Sequence, residues 1–392
     1  MPELDSVERD IIMVADYFVP APDHDSASLR LVHLMTHLAK RAHVVFMPAL
    51  DAPATPEAVR RLHDVGIPVL GGHEGQVRFL VDHGHRVRLA FLSRPHSVTR
   101  FLGPIREHAP QAVVAYDTVD LHHRRLHREA DLADSIGRVD RFQLRADAVS
   151  MRALEEYLVH VCDLTIAVSE DDADGLREIA PGTDVRVISN VHPASPRTSQ
   201  PGSERISFIG YYPHRPNADA ALWFADAVMP RVLDRVPHAV VELIGADPPP
   251  ELRARESSSV RVLGWVDDLD RALAQTAVGV APLRFGAGVK GKVGEMARRG
   301  IPVVSTSVGV EGMGLHHGSE VLVADDAEGL AAHIVELLTD AERARQIGRA
   351  GCERIEALFG VEQAASELDR LLDTEVGARP CGDATSSGLR ST

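Results

Sequence analysis

Residues 281–304, APLRFGAGVKGKVGEMARRGIPVV, decide how this chain is read. An apolar, strand-like run, VGVAPL, passes through Gly286, Gly288, Gly291 and Gly294 into a helix-like run that ends at Gly300. Glycines at a strand-to-helix junction let backbone N–H groups approach a ligand, and a helix start presents unpaired donors to an anion. The cations sharpen this reading. Of the 42 Lys plus Arg residues only three are lysine, Lys40, Lys290 and Lys292, and two of those three fall in this turn. Between Ala281 and Gly300 the one acid, Glu295, stands against Arg284, Lys290, Lys292, Arg298 and Arg299. In a chain of net charge −15 this is a local positive island. It reads as a phosphate site.

Working outward, 392 residues exceed what one hydrophobic core usually supports, so two domains are expected. Composition is that of a globular protein, 44% hydrophobic and 25% charged with a mean hydropathy of −0.08. No apolar run reaches the roughly 18 residues that a membrane span needs, and the acidic start MPELDSVERD does not resemble a signal peptide. The three cysteines, Cys162, Cys352 and Cys381, are widely spaced and odd in number, which suggests neither a disulfide framework nor a metal knuckle and favours a reducing cytoplasm. The acidic balance argues against nonspecific nucleic-acid binding.

Short β-branched runs alternate with helical patterns along most of the chain, as in parallel α/β units. DIIMVADYF, HVVFMPA, GIPVL, VRLAFLS, AVVAYDTV, LTIAVS and VRVISN are the strands of a first set. A long helical region, Leu121 to Val161, interrupts it. Ser26 or Ser28 can cap the amphipathic helix LRLVHLMTHLAKR. The Pro/Ser-rich stretch HPASPRTSQPGSE is the linker candidate, centred on residues 196–204. A second set follows: ISFIGYY, one helix NADAALWFADAVMPRVLDRV, AVVELIGA, VRVLGWV, VGVAPL, IPVVSTSVG and EVLVADD. The expected organisation is a first doubly wound domain over residues 1–195, a second over 205–358, a last helix within 359–375, and a Gly/Ser/Thr-rich, disordered tail over 376–392.

FIGYYPHRPNADAALWF, LGWVDDLD, VAPLRFGAGVKGKVGEMARRGIPVVSTSVGVEG and EVLVADD, in that order, resemble the donor domain of family 4 retaining glycosyltransferases. ADYFVPAPDHDSASLR and AVVAYDTVDLH resemble the strand-end loops of the acceptor side. The resemblance implies a GT-B fold, two Rossmann-like domains facing each other across a cleft, with the last helix crossing back to the first domain. It implies transfer of a hexose-type sugar from a nucleotide diphosphate donor, which acts as co-substrate, with no other cofactor. The family carries an E-x7-E motif here. Its second glutamate matches Glu295, implied to accept hydrogen bonds from the ribose; its first falls on Ala287, so direct carboxylate recognition of the sugar is missing. Backbone groups of Gly286, Ala287, Gly288 and Val289 could hold the sugar and the β-phosphate instead.

The family places cations just after the first donor-domain strand, where this chain has Gly210 and then Arg215 as the nearest substitute, with His214 and Asn217 beside it. Lys290 or Lys292 could supply the ammonium that stabilises the leaving diphosphate; alternatively Lys292 and Glu295 form a plain i,i+3 helix pair. Arg298 and Arg299 suit a charge–dipole contact at the helix end. Trp265 lies near the base or merely packs, and backbone around Gly264 to Val266 reads the base. Asp120 and His122 are implied to face the transferred sugar. Asp23, Ser26 and Ser28 belong to an acceptor loop or simply cap a helix. No DxD-like pair occupies a donor-side strand end, so no obligatory metal is expected; Asp267-Asp268 and Asp325-Asp326 read as helix starts. In the region 121–161 arginines are balanced by acids, which favours a soluble over a lipid-linked acceptor. Two other readings share the scaffold: a sugar-nucleotide epimerase or phosphorylase, and a degenerate nucleotide-sugar-binding protein.

Overall fold

The computed structural model describes residues 9–50, 54–195 and 202–376. Two six-stranded parallel sheets carry the fold. The first is built from β1 (Ile11–Asp16), β2 (His43–Pro48), β3 (Val87–Ser93), β4 (Val113–Asp117), β5 (Leu164–Ala167) and β6 (Val185–Val187), in the order β2-β1-β3-β4-β5-β6. The second holds β7 (Arg205–Ile209), β8 (Val240–Ile244), β9 (Val260–Gly264), β10 (Val278–Ala281), β11 (Val303–Ser305) and β12 (Leu322–Val323), in the order β12-β11-β10-β7-β8-β9. Strands such as IIMVAD and VGVA are buried at every position, as expected of parallel strands covered by helices on both faces. Each sheet reverses its strand order once, between β1 and β3 and between β7 and β10. The carboxyl ends flanking such a reversal splay apart and leave a crevice for a ligand. The glycine turn follows β10, at that reversal in the second sheet.

Three readings are corrected. GIPVL is not a strand: Val69 makes one isolated bridge to Phe46, and Pro68 has no N–H with which to extend it. The long helix after β7 is broken into Arg215–Trp223, a π-helical turn Phe224–Val228 and Met229–Leu233. Pro230 cannot donate the next helical hydrogen bond, and a widened turn is one way to absorb that loss. The helix Ser26–Leu38 is capped by Asp25, which accepts from the Ser28 N–H and hydroxyl, both at 2.8 Å. The helical region after β4 is a hairpin of His122–Ser135 and Arg141–Val161.

The interior of the first sheet is tied by a buried ion pair. Arg30 donates to Asp117 at 2.9 Å and to the carbonyl of Ile188, joining the first helix to the ends of β4 and β6. The last helix, Val361–Leu371, buries Ala364, Leu368 and Leu371 in the same apolar cluster as Leu31, Leu34 and Leu38 of the first domain. Residues 196–201 of the linker reading and 377–392 of the tail reading lie outside the described residues, as does Cys381. Cys162 and Cys352 are both buried. No described helix is long and apolar enough to cross a membrane.

The short helix Gly291–Ala297 closes against the segment that leaves the first sheet. A Cβ on Gly294 would lie 2.1 Å from Nε2 of His192, whose side chain is fully buried and has nowhere to retreat. Gly294→Ala is therefore expected to lower stability by about 1–3 kcal/mol in urea unfolding, the usual cost of overpacking. Gly103→Ala, inside the helix Arg94–His108 where a Cβ meets nothing within 4 Å, serves as the control and is expected to raise stability by roughly 0.5–1 kcal/mol.

Candidate functional site

Loops from the carboxyl ends of both sheets meet at the glycine turn. Gly288 takes φ 70°, and a Cβ there would sit 2.8 Å from Cβ of Asp120. On the opposing face Val119, a β-branched residue, is held at φ 65° between Thr118 and Asp120. That conformation is strained for valine. It brings the Val119 carbonyl and Asp120 onto the turn. Ala287 is 9% exposed and packs into an apolar cluster with first-domain residues, Leu121 among them. Ser26 lies against Gly291, Asn190 donates to the carbonyl of Val289 at 3.2 Å, and Arg128 donates to that of Gly286 at 2.8 Å.

The two lysines differ. Lys290 is 7% exposed, donates to the carbonyl of Gly288 and stands 3.7 Å from Glu311. Burial pushes its pKa down to about 8, with Glu311 and Asp172 opposing. Lys292 has no hydrogen-bond or ion-pair partner among the described residues; its ammonium lies 5.8 Å over the ring of buried Phe208. Burial pushes it down to about 7, and the charge of Lys290 adds to the fall. An ammonium desolvated without a carboxylate is poised to gain from an anionic ligand. The helix that follows has only seven residues, so lysine and turn N–H groups, more than a helix dipole, give this site its anion affinity.

Glu295 does not pair with Lys292. Its Oε2 accepts from Arg298 at 2.9 Å and Arg299 at 2.7 Å, so those arginines hold a carboxylate, while Arg299 also donates to the Glu295 carbonyl in the last turn of the helix at 2.7 Å. Burial works to raise the Glu295 pKa, but the facing His192 and the two guanidiniums outweigh it and keep the group well below the usual carboxylate range. Its Oε1, 3.6 Å from His192 Nδ1, is a buried acceptor with no hydrogen bond. Asp120 accepts from Arg125 at 2.9 Å and faces His122 Nδ1 at 3.1 Å. Burial acts against its charge, but His122 and Arg125 keep it ionised well below the ordinary range. The backbone N–H groups of His122 and His123 both donate to the buried Glu155 at 2.9 Å, which fixes the start of that helix.

Other sequence candidates are held in specific ways. Arg215 extends from the second domain to Glu129 of the first, and its guanidinium is paired there. Gly210 donates to the carbonyl of Ile244 at 2.9 Å, and Gly264 accepts from Gly245 at 2.8 Å. Trp265 is 43% exposed, stacks on His24 at 4.6 Å and donates to Asp267; Val266 borders it. Asp23 pairs with Arg61 at 2.8 Å.

Sequence reasoning missed a second charge cluster beside the turn. Arg128 grips Glu311 with two hydrogen bonds of 2.6 and 2.7 Å, and Arg124 lies 3.6 Å from the same carboxylate. Asp172 is 1% exposed, its oxygens form no hydrogen bond, and burial pushes it up to about 6 against Lys290 and Arg124. The i,i+4 spacing of Arg124 and Arg128 in HHRRLHREA is the signal that could have marked this face.

Residues 203–340 match the family described as "Glycosyl transferases group 1". A Klebsiella pneumoniae protein, described as an uncharacterized 44.6 kDa protein in the cps region, is 25% identical over 139 residues, or 33% of this chain. The match spans only 36% of that relative's length. Among solved structures, a sucrose-phosphate synthase from Thermosynechococcus elongatus aligns with a TM-score of 0.71 at 17% identity, covering 94% of this chain and all (100%) of that one. HepE of Anabaena, in complex with UDP and glucose, aligns at 0.70 and 15% identity over 93% of this chain and 100% of that one. A glycosyltransferase from Rickettsia africae aligns at 0.67 and 11% identity over 95% of this chain and 100% of its own. At these identities the likeness concerns the fold, which is GT-B.

With three lysines in the chain, their protonation can be followed one by one. In protein labelled with 13C at lysine Cε, two NMR signals are expected to titrate near pH 7 and pH 8. Lys292→Arg should remove the lower one. Two signals that titrate only near the ordinary lysine value, about 10.4, contradict the desolvated site.

Proposed function

We propose that this protein is a retaining glycosyltransferase that moves a hexose-type sugar from a nucleotide diphosphate donor to a soluble acceptor without a metal ion. The group 1 match and the GT-B fold support a glycosyltransferase. Relatives of the same fold bind UDP or UDP-glucose, which supports a nucleotide-sugar donor. The observation that carries the reading is Lys292, desolvated and unpartnered in a glycine turn at the strand-order reversal of the second sheet.

In this reading the diphosphate lies over the turn, between Lys292 and the N–H groups of residues 286–289. As the bond from the anomeric carbon to the β-phosphate oxygen breaks, negative charge grows on the diphosphate. A lysine already partly stripped of water stabilises that charge more than a fully exposed one does. The acceptor oxygen bonds to the same face of the anomeric carbon, and its proton passes to the departing phosphate oxygen. That route asks the protein for positioning and countercharge rather than for a separate base. Asp120, locked by Arg125 and His122, borders the sugar from the first domain, and Glu295, 17% exposed at its side chain, is the carboxylate assigned to a ribose hydroxyl. The arginines of the 122–161 hairpin are largely neutralised, for example Arg145 by Asp131, which supports a soluble acceptor over an anionic membrane.

Incubation with UDP-, GDP-, ADP- and dTDP-sugars should reveal slow hydrolysis or transfer of one of them. Binding with no turnover would favour a binding module, and turnover to an epimer without acceptor would favour the epimerase reading. Lys292→Ala should lower turnover of the accepted donor more than tenfold with an unchanged circular dichroism spectrum, in line with loss of a charge-assisted contact to a phosphate. Full activity in that variant refutes the phosphate role.

A further inference from the structure

Position 287, where the resemblance expects a sugar-binding glutamate, is sealed. Ala287 packs into an apolar cluster with first-domain residues, and Gly288 is pressed onto Asp120. Ala287 is only 9% exposed, so a carboxylate in its place would give up most of its water, which is costly. The alanine suits its surroundings, and the donor sugar must be read from elsewhere.

The topology indicates where. In the order β12-β11-β10-β7-β8-β9, the loops after β7 and β9, with Gly210 and Trp265, lie to one side of the glycine turn that follows β10. The loop after β11 lies to the other side. A donor whose nucleoside is directed toward β7–β9, with its diphosphate at Lys292, extends its sugar toward the β11 loop. That loop carries Glu311, 17% exposed at its side chain.

Three features prepare this carboxylate for a ligand. Arg128 holds it with two hydrogen bonds of 2.6 and 2.7 Å and also donates to the carbonyl of Gly286, so Glu311 is clamped to the turn itself. A carboxylate offers about four lone-pair sites, so the two that Arg128 uses leave others for hydroxyls. The carboxylate also lines a cavity of about 370 Å³ bounded by Arg128, Asp171, Ser307, Gly312 and Leu315. That volume lies within the range of small-molecule sites, roughly 300–1,000 Å³. The clamp reaches across the domains, because Arg128 belongs to the helix after β4.

We propose that Glu311, clamped by Arg128, is the donor-sugar ligand of this protein and takes over the hydroxyl recognition that position 287 cannot provide. The inference rests on the nucleotide-sugar reading above and makes Glu311 a specificity-determining residue. Its opposite effects on sugar and diphosphate separate it from a structural role. Glu311 is an acceptor for sugar hydroxyls, but its charge also neutralises Lys290, 3.7 Å away. Removing that charge weakens the hold on the sugar and strengthens the field felt by the diphosphate.

The test is calorimetric binding of UDP and UDP-glucose, GDP and GDP-mannose, ADP and ADP-glucose, and dTDP and dTDP-glucose to the full chain. Wild type and Glu311→Gln are then compared on whichever pair binds tightest. The expected result is an affinity for the sugar conjugate at least about tenfold lower, as for loss of a charged hydrogen bond, with affinity for the free diphosphate unchanged or higher. Parallel loss of both affinities, or no change in either, overturns the proposal. If Glu311→Gln does not fold, Glu311→Asp retains the charge while shortening the reach, and the same selective loss on the conjugate is required. A wild-type chain that binds none of the four pairs refutes the underlying nucleotide-sugar reading instead.

Discussion

An ammonium without a counter-ion is the constraint on which this molecule depends. Lys292 lies over Phe208 at the reversal point of the second sheet with no partner among the described residues, and Lys290 adds its own field. The desolvation cost is met by the rest of the fold. The glycines at 288, 291 and 294 let the turn press onto Asp120, Ser26 and His192, which leaves Lys292 only partly exposed.

Around that lysine the charges are sorted by domain. Arg125 with Asp120 and Arg128 with Glu311 are both anchored on the helix after β4, and both touch the turn or its immediate neighbours. The helix is in turn fixed by Glu155 at its first N–H groups. Residues far apart in sequence thereby set one electrostatic environment, in which Lys290 is neutralised by Glu311 and Lys292 is left for a ligand.

Much of this was legible in the sequence. Buried parallel strands announce themselves as apolar runs such as IIMVAD and VGVA, and the glycine–lysine turn is visible as a composition anomaly in a chain that otherwise uses arginine. The reading failed where a local pattern met a tertiary constraint. GIPVL has the composition of a strand, but Pro68 allows only a bridge; the Arg298 and Arg299 pair suits a helix end, and Arg299 does reach the Glu295 carbonyl there, but the Glu295 carboxylate also takes a hydrogen bond from each. Glu311 and Asp172 could not be found from spacing, since their importance comes from Arg124 and Arg128 reaching them across the fold. Ala287 was visible as a missing carboxylate, whereas the reason for it, a sealed apolar contact with the first domain, belongs to the packing alone.

The measurement that bears most directly on the central claim is proton linkage of nucleoside diphosphate binding, by calorimetry in buffers of different ionisation enthalpy. Lys292, pushed down to about 7, is charged below that pH and largely neutral above it. A diphosphate favours the charged form, so binding at about pH 8 must draw a proton from solution, and uptake must fade toward about pH 6, where the lysine is already protonated. Lys290, pushed down to about 8, adds its own share at that pH, so the account predicts uptake at pH 8 that is clearly reduced, not abolished, in Lys292→Met. Binding at pH 8 with no proton uptake, or with uptake undiminished in Lys292→Met, contradicts it.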